Sequence, residues 1–387
     1  MPMPHESLDA SSIALHEQAH GKIGTSLKVP LEDMHDLALA YTPGVAAVSK
    51  LLAAHPERAR DVSIKRSTVA IVTDGSAVLG LGNIGPMGAL PVMEGKAALF
   101  KRFADIDAFP ICLDTQDTEE IVRTVKLIAP AFGGINLEDI AAPRCFEIEA
   151  RLCAELAIPV MHDDQHGTAV VVLAALINAL SLRGMTAGEV RVVINGAGAA
   201  GIAITDLLLA HGVTDLVLCD SKGIVSAART DLAGEKARLA AKTNPRTLVG
   251  TLADAMRGAD IFIGVSKGGL VSEDMVRSMR AQPVIFAMAN PEPEIMPERA
   301  KEAGAFIVAT GRSDFPNQVN NVLVFPGVFR GALDAGVRDI TEPMLLAAAA
   351  NLSAMVTAPA PEKILPGPFE EGVAEAVAAA IRESAAA

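Results

Sequence analysis

Positive charge is scarce in this 387-residue sequence: 33 Lys and Arg stand against 46 Asp and Glu, a formal net charge of −13 at pH 7. The basic residues form no cluster, which argues against nucleic acid or an anionic membrane surface as a partner and leaves small molecules as the expected ligands. Cysteine is scarce too. Its four copies, Cys112, Cys145, Cys153 and Cys219, show neither CxxC nor Cys/His zinc spacing, so they read as reduced core thiols of a cytoplasmic protein. The apolar run after Gly167 meets Asn178 before it reaches the ~20 residues that a membrane span needs, and no membrane segment is expected. The opening MPMPHESLDA lacks the basic start and apolar stretch of a signal peptide. Tryptophan is absent and tyrosine occurs once.

What is present is a chain half apolar and long enough for two domains with a large core. Its repeating pattern is a short β-branched run, a Gly or Asp at its end, then a helical stretch, the signature of βαβ units with parallel sheets. STVAIVT (67–73), AFPICLD (108–114), GGINLED (133–139) and AIPVMHDD (157–164) are the early strands. VRVVING (190–196), DLVLCD (215–220), ADIFIGVS (259–266), PVIFAMAN (283–290) and AFIVATG (305–311) are the later ones. A long helix over roughly 167–182, ending near Gly184, separates the two sets, and the fold class is α/β throughout. The Pro-rich APAPEKILPGPF precedes a last Ala-rich helix that packs on either domain.

GxGxxG occurs twice, but only GAGAAG (196–201) follows a strand directly, opens a helix and is followed by a strand ending in an acid, Asp220. That is the setting of a Rossmann dinucleotide loop. Gly196 makes the tight turn, Ala197, Gly198 and Ala199 pass close to the pyrophosphate, and Gly201 lets the helix pack closely, its N-terminus facing the anion. The other loop, GLGNIG (80–85), runs into Pro86 and Pro91 and reads as a loop shaped to sit near a ligand. Asp220 suits a ribose 2′-hydroxyl and hence NAD, whereas Ser221 and Lys222 suit a 2′-phosphate, so NAD and NADP both stay open.

Two acidic pairs, Glu138–Asp139 and Asp163–Asp164, end successive strands of one βαβ unit and emerge at the same sheet edge. Carboxylates converging there repel unless a cation binds them, and all-oxygen ligation suits Mg²⁺ or Mn²⁺. Singly, such acids are helix caps; His162 and His166 read as supporting residues, not ligands. In MEGKAALFKRF, Lys96, Phe100 and Phe103 share a helical face turned away from Lys101 and Arg102. A buried ammonium short of partners has a lowered pKa and is a candidate general base; the alternative is a snorkelling lysine. Tyr41, in ALAYTPGVAAV, is either a packing aromatic or a general acid.

AYTPGVA, VLGLGNIGPMGALPVMEGKAALFKRF, INLEDIAAPRCFEIE, HDDQHGTA, GAGAAG and NNVLVFPG, in that order, resemble the malic enzyme family, the decarboxylating malate dehydrogenases, in its compact bacterial form. The resemblance extends from about Gly21 to ILPGPF. It implies a substrate- and metal-binding domain, here 1–163, followed by a Rossmann domain with its helical tail, here 164–387, and a homodimer or larger assembly. The implied reaction is oxidation of L-malate to bound oxaloacetate, then decarboxylation to pyruvate, with reduction of NAD or NADP. By motif, Lys96 resembles the base for the C2 hydroxyl, Tyr41 the acid that protonates C3, and Asp163 the acid that orients the lysine. Glu138, Asp139 and Asp164 resemble the metal ligands, and Asn290 and Asn321 the contacts to substrate or nicotinamide. One departure is Ala77, where larger eukaryotic members carry a carboxylate-gripping arginine. The acidic pairs alone also fit a metal-dependent phosphoesterase or lyase, and the glycine loop alone a nucleotide-sensing module without catalysis.

Overall fold

The structure is a computed structural model describing residues 5–78 and 80–386, with side chains from Leu8 onward. The chain opens with helices α1 (His5–Ala19), α2 (Met34–Ala40), α3 (Val45–Ala54) and α4 (Ala59–Val62). None of α2, α3 and α4 buries a residue, and Leu27, Met34 and Leu39 lie exposed beside them.

A four-stranded parallel sheet follows, built from β1 (Thr68–Thr73), β2 (Asp107–Cys112), β3 (Gly134–Leu137) and β4 (Val160–His162) in the order β2-β1-β3-β4. The connecting helices are α5 (Gly85–Ala104), α6 (Thr118–Ile128) and α7 (Arg144–Glu155). β1 is buried along its whole length, as expected of a strand covered on both faces. Chain order reverses between β1 and β3, and in open α/β sheets such a switch point is where ligands bind, outside the strands' carboxyl ends.

Helix α8 (Asp163–Arg183) leaves β4 without a loop, so it starts about one turn before the expected 167 and its first two residues are Asp163 and Asp164. It stops at Gly184, whose φ of 62° places it in the left-handed region that terminates helices. Two stretches, Met34–Ala54 and Asp163–Arg183, are long and apolar enough to cross a membrane by length and composition alone. The second is 72% buried inside the fold, so it is a core helix; the first is broken between α2 and α3.

The second sheet contains β5 (Arg191–Asn195), β6 (Asp215–Asp220), β7 (Gly223–Ile224), β8 (Ile261–Gly264), β9 (Val284–Ala287) and β10 (Ile307–Thr310). Its order, β10-β9-β8-β5-β6-β7, is the Rossmann order 3-2-1-4-5-6 with a short antiparallel third strand. The helices are α9 (Ala199–Ala210), α10 (Gly234–Ala240), α11 (Leu252–Met256), α12 (Glu273–Arg277) and α13 (Pro297–Glu302). The chain ends in α14 (Phe325–Ala335), α15 (Glu342–Ala354) and α16 (Val373–Ala386).

The tail returns to the first sheet. α14 and α16 pack together against α5, where Phe325 and Phe329 meet Phe100 edge-on at 4.7 and 5.5 Å between centroids. Each of these rings is fully buried, a burial worth roughly 1.5–3 kcal/mol apiece. α8 packs on α9 and α15, so one apolar core joins both sheets and holds their carboxyl ends around a common crevice.

Candidate active site

The crevice has a volume of about 600 Å³. Ala77, Gly80 and Asp164 line it from the first sheet; Gly198, Ala199, Ser266, Asn290 and Asn321 line it from the second sheet and beyond. The nucleotide loop behaves as its glycines require. Gly196 has a φ of 123°, a Cβ at Gly201 would collide with the Gly196 carbonyl, and Gly198 faces open space where an anion can approach the backbone.

Lys96, on α5, is 6% exposed and sits behind the crevice wall, joined through Asp163 to Asn321, which lines it. Its ammonium donates to Glu138 Oε1 at 2.9 Å and to Asp163 Oδ2, and lies 4.0 Å from the centroid of the Phe325 ring. Burial pulls the Lys96 pKa down, but attraction to Asp163 and Glu138 outweighs it and the pKa is raised. The lowered pKa expected for a partner-poor lysine is therefore corrected: the partners are there, and the ammonium form is the favoured one. Asn321 Nδ2 donates to the same Asp163 Oδ2, joining the turn before α14 to the lysine site.

The four acids arrive together. Glu138 and Asp139 follow β3, and Asp139 has a φ of 55°, a left-handed turn that lets its N–H donate to Asp164 Oδ2 at 2.8 Å and its carbonyl accept from the Ala77 N–H at 2.9 Å. Asp139 is pushed up to about 9 by burial and by the negative charge of Asp164 and Glu138. Burial also raises Glu138, partly opposed by Lys96, and raises Asp164. Glu138, Asp139, Asp163 and Asp164 thus face one ammonium, and Asp139 Oδ2 is buried without a hydrogen-bond partner. An excess of buried negative charge with an orphaned oxygen fits a hard divalent cation.

The chelate is not preassembled. Among the described residues no three His, Cys, Asp or Glu side chains surround one point as a ready metal cage. The reason is local: Glu138 is turned to Lys96 and to Asn136 Nδ2, and Asp164 to the Asp139 amide.

Two expected residues stand apart from the crevice lining. Tyr41 caps the end of α2, is 67% exposed and does not line the crevice. Asp220, expected to accept a ribose hydroxyl, is already saturated. Its Oδ1 accepts from the Lys222 amide (2.9 Å) and Arg229 Nη1 (2.7 Å), and its Oδ2 from Arg229 Nη2 (3.1 Å) and Lys236 Nζ (3.3 Å). A carboxylate has about four acceptor positions, so none is left. Sequence reading missed Ser266, which follows β8 at the second sheet's switch point; its place at a strand end was the available signal.

Gly167 tests how tightly the site is packed. A Cβ there would collide with the Asp163 carboxylate. Gly167→Ala is expected to displace Asp163 from Lys96 and lower kcat by about 10²-fold, the effect of a ~1 Å misplacement, with coenzyme binding retained. Steady-state kinetics beside a coenzyme titration check it.

Residues 20–153 match the malic enzyme N-terminal domain and residues 165–386 the malic enzyme NAD binding domain. The chain is 53% identical over 382 residues to a bifunctional malic/malolactic enzyme of Bacillus subtilis, spanning 98% of this chain and 93% of that protein. It is 55% identical over 367 residues to an NAD-dependent malic enzyme of Geobacillus stearothermophilus, spanning 94% and 77%. The crystal structure of an NAD-dependent malic enzyme from Thermotoga maritima superposes with a TM-score of 0.93 at 52% identity, over 96% of this chain and 98% of that one. Joined to two α/β sheets whose carboxyl ends share a crevice backed by a lysine and carboxylates, these matches establish that the chain belongs to the malic enzyme family.

Proposed function

We propose that this chain oxidatively decarboxylates L-malate to pyruvate and CO₂, with a divalent cation and with NADP preferred to NAD. The observation that carries the reading is Lys96, buried between Glu138 and Asp163 directly behind a crevice that Asp164, Asn321 and the dinucleotide loop line. Malate, Mn²⁺ and each nucleotide together are expected to give absorbance at 340 nm and pyruvate in equal amounts. Failure to reduce either nucleotide overturns the proposal. The phosphoesterase and sensing alternatives find no support in the family membership.

Residues 1–163 supply most of the reacting groups and 164–387 the coenzyme site. Lys96 takes the C2 hydroxyl proton as hydride leaves C2, and Asp163, shared with Asn321, holds its amine in place. Glu138, Asp139 and Asp164 would hold Mg²⁺ or Mn²⁺, and the bound ion would supply Lewis-acid stabilisation of the charge developing on the C2 oxygen. Glu138 serves two partners in turn: paired with Lys96 it favours the ammonium form, and its release from Lys96 lowers the lysine pKa so that the ammonium gives one proton to solvent and the resulting amine can accept the C2 hydroxyl proton. Asn290 and Asn321 line the crevice and are the residues that would contact substrate or nicotinamide there.

The NADP preference rests on Asp220. With its acceptor positions filled it anchors Arg229 and Lys236 instead of binding ribose. Arg229 is itself spent on Asp220 and Asp231, while the Lys222 and Lys236 ammonium groups keep spare N–H donors for a 2′-phosphate. kcat/KM for NADP is expected to exceed that for NAD by about tenfold or more, and Lys222→Ala with Lys236→Ala to erase the difference by raising the KM for NADP. Equal kcat/KM for both nucleotides in the unaltered enzyme contradicts this.

The active unit is a homodimer in which Tyr41 of one protomer serves Lys96 of its partner. The support is the unburied α2–α3 surface that carries Tyr41, and an apolar groove of about 820 Å³ between residues 22–28 and the α5–β2 edge. The free state of all four thiols fits a cytoplasmic enzyme.

A further inference from the structure

Helix α8 begins with two carboxylates that both do other work. Asp163 turns to Lys96 and Asn321, and Asp164 turns to the Asp139 amide. Acidic residues in a first turn ordinarily satisfy the helix's own exposed N–H groups. Here the N-cap residue, His162, makes no side-chain cap bond, and the third helical residue, Gln165, does not reach back to the His162 amide as a capping box would.

The missing acceptor comes from another helix. Glu149, on α7, is 8% exposed. Its Oε1 accepts the His162 backbone N–H at 2.6 Å; its Oε2 accepts Gln165 Nε2 at 3.0 Å and lies 3.1 Å from His166 Nε2. One carboxylate therefore grips the residues on both sides of Asp163–Asp164 and faces the helix N-terminus, where negative charge is favoured. We infer that Glu149 is a positioning residue for the metal site: it caps α8 from outside, so that Asp163 is left free to hold Lys96 and Asp164 to face the crevice. Glu149 does not line the crevice, and it acts through the direction in which the first turn of α8 projects.

The inference rests on the metal reading above, and the test separates the two. Mn²⁺ binding, measured by electron paramagnetic resonance of the free ion in the absence of malate and coenzyme, is compared between the unaltered enzyme and Glu149→Ala. NADPH binding is followed in parallel by fluorescence. Groups behind metal ligands set affinity by about 10- to 100-fold, so the Mn²⁺ Kd is expected to rise by that factor while the NADPH Kd stays within about twofold. A second variant, Glu149→Gln, keeps the shape but replaces one acceptor oxygen with a donor, and is expected to shift the Mn²⁺ Kd in the same direction by less.

A cavity of about 390 Å³ adjoins Glu149 and His166 and shares no lining residue with the crevice. Formate is small enough to enter it, and is expected to restore part of the Mn²⁺ affinity of Glu149→Ala and none of that of Asp164→Asn. A merely structural role for Glu149 would lower both affinities together and would not respond to formate. If the unaltered enzyme binds no Mn²⁺, the metal reading fails. If it binds Mn²⁺ and both Glu149 variants bind equally well, the positioning role is overturned.

Discussion

Replacing Lys96 with alanine is expected to lower kcat for malate-dependent coenzyme reduction by about 10²- to 10⁴-fold, the range for loss of a positioned proton acceptor, while the coenzyme still binds. The two sites are separable. Lys96 stands on α5 of the first sheet, and the glycine loop that receives the pyrophosphate opens α9 of the second. Stability responds as well, because the variant strips Glu138 and Asp163 of their shared counter-ion. An uncompensated buried charge costs about 3–5 kcal/mol if it stays ionised, but these carboxylates escape much of that by taking up protons, so a folded variant is expected. Single-turnover kinetics beside a coenzyme titration distinguish the outcomes. Loss of coenzyme binding in parallel with turnover would place Lys96 in the scaffold instead of the chemistry.

Tyr41→Phe is expected to lower overall turnover by about 10²-fold or more, and to do so at pyruvate protonation. Its location makes a stronger test available, since Tyr41 lies on an unburied helical surface and outside the crevice of its own chain. Mixing Tyr41→Phe and Lys96→Ala subunits, after mild dissociation and reassembly, gives a hybrid dimer in which one site carries both changes and the other carries neither. With random re-pairing, half the dimers are hybrids with one intact site each, so activity is expected to recover to about a quarter of the unaltered level. If both residues act within one chain, every site in the hybrid is damaged and the mixture stays inactive.

Much of this was legible in the sequence, for a physical reason. A strand buried on both faces reads as a β-branched run, and nine such runs, from STVAIVT to AFIVATG, are strands within a residue or two at most ends. β7 was not read because two residues, Gly223 and Ile224, carry no periodicity. The start of α8 was read about one turn late because DDQH is polar and its cap is Glu149, a residue 13 positions before His162 on another helix. The burial of Lys96 was visible from helical spacing, but the direction of its pKa was not: spacing tells which face is inward, and the ion partners come from β3 and α8. The partners of Asp220 were not legible likewise, since Arg229 folds back on it through a loop with no regular pattern. The exposure of Tyr41 was not read from the sequence, because a lone aromatic beside Pro43 and Gly44 carries no periodicity that tells which way it faces.

The most direct test of the whole account is the number of Mn²⁺ ions bound per chain, measured by equilibrium dialysis on the unaltered enzyme and on Asp139→Asn, which removes a charge from the acid holding the orphaned oxygen. One ion per chain, with affinity lowered by about tenfold or more in the variant, is the expected result. No bound ion, or an ion held equally by both proteins, contradicts the claim that these carboxylates form the metal centre.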